Sequence, residues 1–270
     1  LPWVAPKEYW DLYQRDEVDL AANPDFPKHG IGRNSWGDLM HYHDAEVRSK
    51  KKLSNDLPAE EFPVLSEAKQ RELIHGYWAC VSFVDAQIGR VLAELKQSNL
   101  DRNTIVIFTS DHGWHLGDHR LWSKQTNYEI CAQVPLLIAA PEMKPGTTGQ
   151  LAELVDLYPT LCDLTGLAQP GHLQGTSLRE GLESPDSKGQ SVAFSAYAGG
   201  RSMRTSRYRL TVYDAKTKNR LPGNGLYELY DYQDDPLETR NLAVTPEHQQ
   251  LLKELRQKMD IEWSKAHQEQ

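Results

Sequence analysis

Long apolar runs are absent from this sequence. Its mean hydropathy is −0.64, so no membrane-spanning helix is expected. Cysteine is scarce: Cys80, Cys131 and Cys162 form an odd set with no CxxC pair, from which neither a redox compartment nor a zinc site follows. Each lies in an apolar stretch (YWACVSF, EICAQVP, TLCDLTG) and reads as a buried free thiol. With 18 glycines and 15 prolines, the chain has too few of either for collagen or a low-complexity segment. Basic charge is also short: 30 Lys and Arg stand against 38 Asp and Glu, a net −8. That balance argues against a nucleic-acid binder that lives on phosphate contacts. The opening LPWVAPKEYW has no Met, basic n-region or apolar h-region, so these residues carry no signal peptide and read as the middle of a longer protein.

What is present is ordinary globular composition, 39% hydrophobic and 25% charged, in 270 residues, enough for a large core in one or two domains. Residues 1–66 are broken by prolines and read as irregular, with some helix at KEYWDLY and a solvated loop at Lys50–Lys52. From 67 to 97, Leu73, Tyr77, Val81, Val84, Ile88, Val91 and Leu95 recur at helical spacing behind Ser66, which can cap the helix. TIVIFTS and VPLLIAAP read as two buried strands, and 151–166 as an amphipathic helix ended by Gly166, with Pro159 kinking it or starting a second segment. This order predicts an α/β layer with a mostly parallel sheet. Beyond Gly166 the chain turns polar. SVAFSAY, SRYRLTVYD and GLYELYDY then predict a three-strand antiparallel meander, closed by a helix over 246–268.

The densest chemistry is TSDHGWHLGDH, directly after the first strand. In open α/β sheets, ligands bind at the carboxyl ends of strands. Three readings compete for it. His112, His115 and His119 have a zinc-like spacing, although no further ligand completes it and the glycines spoil a helix. A plain His-rich turn is the bland reading. The third is half of a divalent-metal site, with Asp111 and His112 as adjacent ligands. Lys124, a dozen residues on in LWSKQTNYE, favours the third, because an ammonium stabilises the charge that develops on a sulfate or phosphate ester.

TSDHGWHLGDHRLWSKQTNYE followed by VPLLI resembles the type I, formylglycine-dependent sulfatases of the alkaline phosphatase superfamily, nearest to their iduronate 2-sulfatase subgroup. LPWVAPKEYWDLY, YWACVSFVDAQIGRVL, SMRTSRYRLT and GLYELYDYQDDPLETRNLA resemble further segments of that family in its order, so the resemblance covers essentially the whole chain. It implies an alkaline-phosphatase-like α/β sandwich: residues 1–187 would be the C-terminal part of the catalytic domain, and 188–270 a small antiparallel-sheet subdomain with a terminal helix. It also implies Asp111 and His112 as calcium ligands, Lys124 as the catalytic lysine that grips the sulfate, and Trp114 and His115 as substrate-pocket walls. Gln125 stands where an aromatic residue is expected of the iduronate subgroup.

None of the three cysteines has the C-x-P-S-R or C-x-A-x-R context of a formylglycine precursor, and the Asp-Asp ligand pair and the His-Lys-Pro-His acid are not in this sequence. The resemblance therefore implies that the nucleophile and acid belong to an upstream, N-terminal half, without which the chain is inactive. The implied reaction is hydrolysis of a sulfate ester on a saccharide, with 2-O-sulfated iduronate or another uronate as substrate. A phosphodiesterase or phosphonate hydrolase on the same scaffold, or a non-catalytic glycan-binding remnant, is the alternative. No N-x-S/T sequon occurs, which leans toward a periplasmic or secreted bacterial enzyme over a lysosomal glycoprotein.

Overall fold

The computed structural model describes residues 3–31, 44–54, 64–141, 143–197, 199–214 and 226–266; the surface excursion expected up to Glu61 lies partly outside them. The chain forms two compact units. One takes residues up to Thr104 with His112–Val134; the other takes Ile105–Asp111 and the described chain from Pro135 onward. The boundary expected at 187/188 falls inside the second unit.

The first unit is organised by a 31-residue helix. Helix α1 (Lys7–Trp10) and helix α2 (Ala45–Ser54) precede it, and the long helix is α3 (Glu67–Gln97). Ser66 caps α3, its hydroxyl accepting from the Lys69 amide at 3.4 Å. Both polar groups of Ser66 in turn donate to the Glu46 carboxylate on α2, at 2.6 and 2.9 Å. Gly76 lets α1 sit close, since a Cβ there would stand 3.1 Å from the Trp10 ring. The Trp10 carbonyl also meets His75 Nε2 at 2.8 Å. The apolar stripe read from the sequence divides along its length. Leu73, Ile74 and Ala79 are buried, whereas Val81, Val84 and Val91 are 52%, 52% and 68% exposed. The Lys50–Lys52 run, expected as a loop, lies within α2. Lysine, glutamate and arginine are good helix formers. Asp44 starts the helix by accepting from the Val47 amide, and buried Val47 anchors it, which is too little apolar pattern to announce a helix.

In the second unit, β1 (Val106–Thr109) and β2 (Leu136–Ala139) form a two-stranded sheet. The pairing is antiparallel, Thr109 opposite Leu136 and Val106 opposite Ala139, which corrects the expected parallel sheet. The excursion between the strands leaves and re-enters at the same end, so no crossover returns the chain to the start. The strands are also not buried on both faces. Phe108 and Leu137, directly opposite each other, are 41% and 58% exposed.

Helix α4 (Glu129–Ala132) belongs to that excursion. Helix α5 (Leu157–Thr165) is preceded by a 3₁₀ turn at Leu154–Asp156 and ends at Gly166, whose φ is +70°. Pro159 stands in the first turn of α5, where its missing N–H costs nothing. Helix α6 (Arg179–Glu183) leads to a four-stranded meander: β3 (Ala193–Tyr197), β4 (Gly200–Arg204), β5 (Tyr208–Tyr213) and β6 (Tyr227–Asp231). The sheet order is β3-β4-β5-β6, every pair antiparallel, so β4 is a strand beyond the three expected. Its opening glycines read as turn, and Gly199, at φ +79°, does turn the chain. One face of this sheet, through Met203, Leu210 and Leu229, packs with Leu252, Leu255 and Met259 of helix α7 (Gln249–Ala266). Among the described residues, no helix is long and apolar enough to cross a membrane. Cys131 and Cys162 are buried, Cys80 is half-buried, and all three are free thiols.

Candidate active site

Asp111 stands two residues beyond the end of β1. It is exposed, and Ser110 Oγ donates to its Oδ1 at 3.4 Å. From His112 the chain runs into a narrow main-chain ladder. The amides of Gly113, His115 and Gly117 donate to the carbonyls of Cys131, Ser123 and Leu121 at 2.9, 2.8 and 2.9 Å. Odd-numbered residues make the rungs, so successive side chains point to opposite sides. Burial follows this alternation: His115, Gly117 and His119 are buried, and Trp114, Leu116 and Asp118 are half-buried. Gly113 is required by close approach, because a Cβ there would lie 1.9 Å from the Ile130 carbonyl oxygen. The ladder closes through a left-handed tip, with φ of +108° at Gly117, +56° at His119 and +60° at Arg120. Consecutive left-handed residues other than glycine are strained, and such strain gathers at functional sites.

Three of the residues singled out in the sequence come together on the half-buried side. Lys124 Nζ stands 5.5 Å from the centre of the Trp114 ring, a cation–π distance. The His112 ring lies 6.1 Å from Trp114, and Trp3 packs edge-on against Trp114 at 5.8 Å. His112 Nδ1 is 2.9 Å from the Gly113 carbonyl, an arrangement that puts the proton on Nδ1 and the ring lone pair on Nε2.

His115 does not join that cluster. Expected as a pocket wall, it is 0% exposed, because in an extended ladder it faces away from its neighbour Trp114. Its Nδ1 lies 3.1 Å from the Asp118 carbonyl and its Nε2 2.9 Å from Thr126 Oγ1. Burial holds its pKa well below the ordinary histidine value, and the neighbouring His119 lowers it further. His119 and Tyr128 complete this layer, with ring centres 4.5 Å apart. Burial also raises the Asp118 carboxyl pKa, opposed in part by His119. Thr126 and Tyr128 escaped the sequence reading. The signal that could have found them is the alternation of polar and apolar residues after a strand, continued past the turn.

Both His115 nitrogens are engaged, so the three-histidine zinc arrangement lacks its middle ligand. Among the described residues, no group of three or more His, Cys, Asp or Glu is gathered for a metal ion. Asp111 and His112 supply one carboxylate and one imidazole, a pair that fits part of a divalent site. A calcium ion takes six to eight mainly oxygen ligands, so most would come from outside this pair.

The chain matches the sulfatase family model over residues 29–167 and the C-terminal N-sulphoglucosamine sulphohydrolase model over residues 117–265. It is 30% identical to the iduronate 2-sulfatase of Mus musculus, over 95% of this chain and 58% of that protein. The chain thus spans little more than half the length of that curated relative. Among solved structures, it superposes on a 2-O GAG sulfatase with a TM-score of 0.71 at 27% identity, covering 93% of this chain and 52% of that one. It also superposes on a phosphonate monoester hydrolase from Silicibacter pomeroyi with a TM-score of 0.72 at 29% identity, covering 96% and 52%. The fold is therefore the alkaline-phosphatase-like α/β fold of these enzymes, and the chain belongs to the sulfatase family.

Proposed function

We propose that this chain is the C-terminal part of a sulfatase that removes sulfate from a sulfated saccharide, with a 2-O-sulfated iduronate or related uronate as substrate. The observation that carries the reading is the placing of the Lys124 ammonium against Trp114 beside His112, in a sulfatase-family chain. Lys124 neutralises charge on the sulfate oxygens as the ester bond breaks. Trp114 keeps the ammonium in place and offers an aromatic wall to the sugar. Asp111 and His112 hold a divalent cation, calcium by family resemblance; bound there, it would supply Lewis-acid polarisation of the sulfate oxygens.

The formylglycine nucleophile and the acid for the leaving oxygen belong to the N-terminal half of the enzyme, so this chain alone has no turnover. The exposed Phe108 and Leu137, and the exposed valines of α3, support that partnership. Residues 1–187 are then the C-terminal part of the catalytic domain, and 188–270 a small subdomain.

The test is Lys124→Ala in a polypeptide carrying the whole fold. Turnover of a 2-O-sulfated uronate disaccharide should fall by at least about 10²-fold, the scale of losing a charge-stabilising donor. A loss under about tenfold, with the fold intact, overturns the role of Lys124. Similarity to a phosphonate monoester hydrolase favours a second reading, because an ammonium serves a phosphonate oxyanion as well as a sulfate. Parallel assays on phosphonate monoesters and sulfated disaccharides separate the two. Saccharide binding without turnover in the complete polypeptide would mark a glycan-binding remnant.

A further inference from the structure

The structure assigns His115 as a positioning residue for Lys124. The assignment rests on the role proposed above for that lysine. Lys124 lies on the return limb of the ladder, between two points that His115 holds. One residue before it, the Ser123 carbonyl accepts from the His115 amide at 2.8 Å. Two residues after it, Thr126 Oγ1 meets His115 Nε2 at 2.9 Å. The Thr126 amide then donates back to the Lys124 carbonyl at 2.9 Å, closing a tight turn around the lysine backbone.

The tautomer follows from the partners. A backbone carbonyl can only accept, so the contact of Nδ1 with the Asp118 carbonyl places the ring proton on Nδ1. Nε2 is then the acceptor, and the Thr126 hydroxyl donates to it. A single neutral ring thus spans the loop from its tip to the limb that bears Lys124. Its walls are fixed: Tyr128 stands edge-on at 6.0 Å, and His119 at 5.6 Å. The ring is wholly buried, and its neighbour Trp114 carries the Lys124 ammonium. Two adjacent residues therefore fix both ends of the lysine, Trp114 its charged head and His115 its backbone. A positively charged group must sit accurately to act on a transition state, and small misplacements cost up to about 10²-fold.

A double-mutant cycle in the complete enzyme tests this. Thr126→Val keeps the side-chain shape and removes the hydroxyl. It should lower kcat/KM by about tenfold to 10²-fold, chiefly through kcat. In the Lys124→Ala background the same change should cost less than about twofold, since there is no ammonium left to position. Equal losses in both backgrounds would overturn the assignment and leave a merely structural contact. Thr126→Ser, which retains the hydroxyl, should stay within about threefold of the parent, and a serine variant as impaired as the valine one would also overturn it. If Thr126→Val does not fold, His115→Asn takes its place in the cycle, keeping a donor for the Asp118 carbonyl and losing the Thr126 contact. Failure of the underlying reading looks different: Lys124→Ala alone would then be nearly harmless.

Discussion

Burial keeps the His115 imidazole neutral in the folded chain, whereas in the unfolded chain it titrates near the ordinary value of about 6.5. The folded pKa lies below the unfolded one, so the unfolded state binds the proton first as pH falls. The stability associated with this residue is complete above about pH 6.5 and is lost as pH drops toward the lowered folded value. Asp44, beside Lys69, and Asp231, beside Arg207, have lowered pKa values, so their contributions fade only below about pH 4. Asp118, raised by burial, acts with the opposite sign in the acid range. We expect the unfolding free energy, read from denaturant titrations, to fall between pH 7 and pH 5, by up to about 1.4 kcal/mol per pH unit from this one group. His115→Gln should flatten that slope, and an unchanged slope would show that the histidine does not carry it. At this scale the residues of the candidate site were legible in the sequence. Asp111, His112, Trp114 and Lys124 announced themselves as chemistry after a strand. The inward turn of His115 did not, because it depends on rungs to Ser123 and Cys131 that no local pattern records.

At the scale of elements, the C-terminal sheet shows why one strand was missed. Its α7 face is apolar and alternates as a strand should. The opposite face is polar yet buried, with Ser202, Arg209, Thr211 and Glu228 each 3% exposed or less. β4 contributes Ser202 there, and with Gly200, Arg201 and Arg204 around a single apolar Met203 its sequence reads as loop. Several of these polar side chains satisfy one another, although the buried Ser195 hydroxyl opposite Ser202 has no hydrogen-bond partner. Arg209 Nε stands 2.7 Å from the Tyr232 hydroxyl and 3.4 Å from Glu238, while Glu228 accepts from Tyr213 and Tyr230 at 2.7 and 3.1 Å. Breaking one partner of a buried ion pair costs far more than replacing both. Arg209→Met should therefore destabilise by about 3–5 kcal/mol, and adding Glu238→Gln should recover part of that loss. Denaturant titration of the single and double variants decides it; a double variant worse than the single would show that Arg209 matters through packing alone. The meander itself and the closing helix were legible, because strong period-two runs and turn residues mark them.

At the scale of the whole molecule, several large apolar side chains stand exposed. Phe108 and Leu137 lie open on a sheet of two strands, and two strands alone are marginal in water. Val81, Val84 and Val91 lie open on α3. The sequence marked these residues as core, and in this chain they are exposed. The expected parallel sheet failed for a related reason: a strand order is a property of all its strands, and two strands in sequence reveal only their own pairing. Produced alone, the chain should bind a hydrophobic dye and self-associate. Phe108→Ser with Leu137→Ser should reduce both, and co-expression with the proposed N-terminal half should suppress them. A dye-silent monomer would remove the case for a covering half.

The ladder after β1 has a consequence for loop length. Open and buried positions alternate there, with Trp114 outward and His115 inward. Inserting or deleting one residue between Trp114 and Gly117 would exchange the two sides for every position on that limb. A change of two residues would restore them. Length in this stretch is thus constrained in parity as well as in size, a rule that belongs to sheets and operates here in a segment where neither limb is a strand.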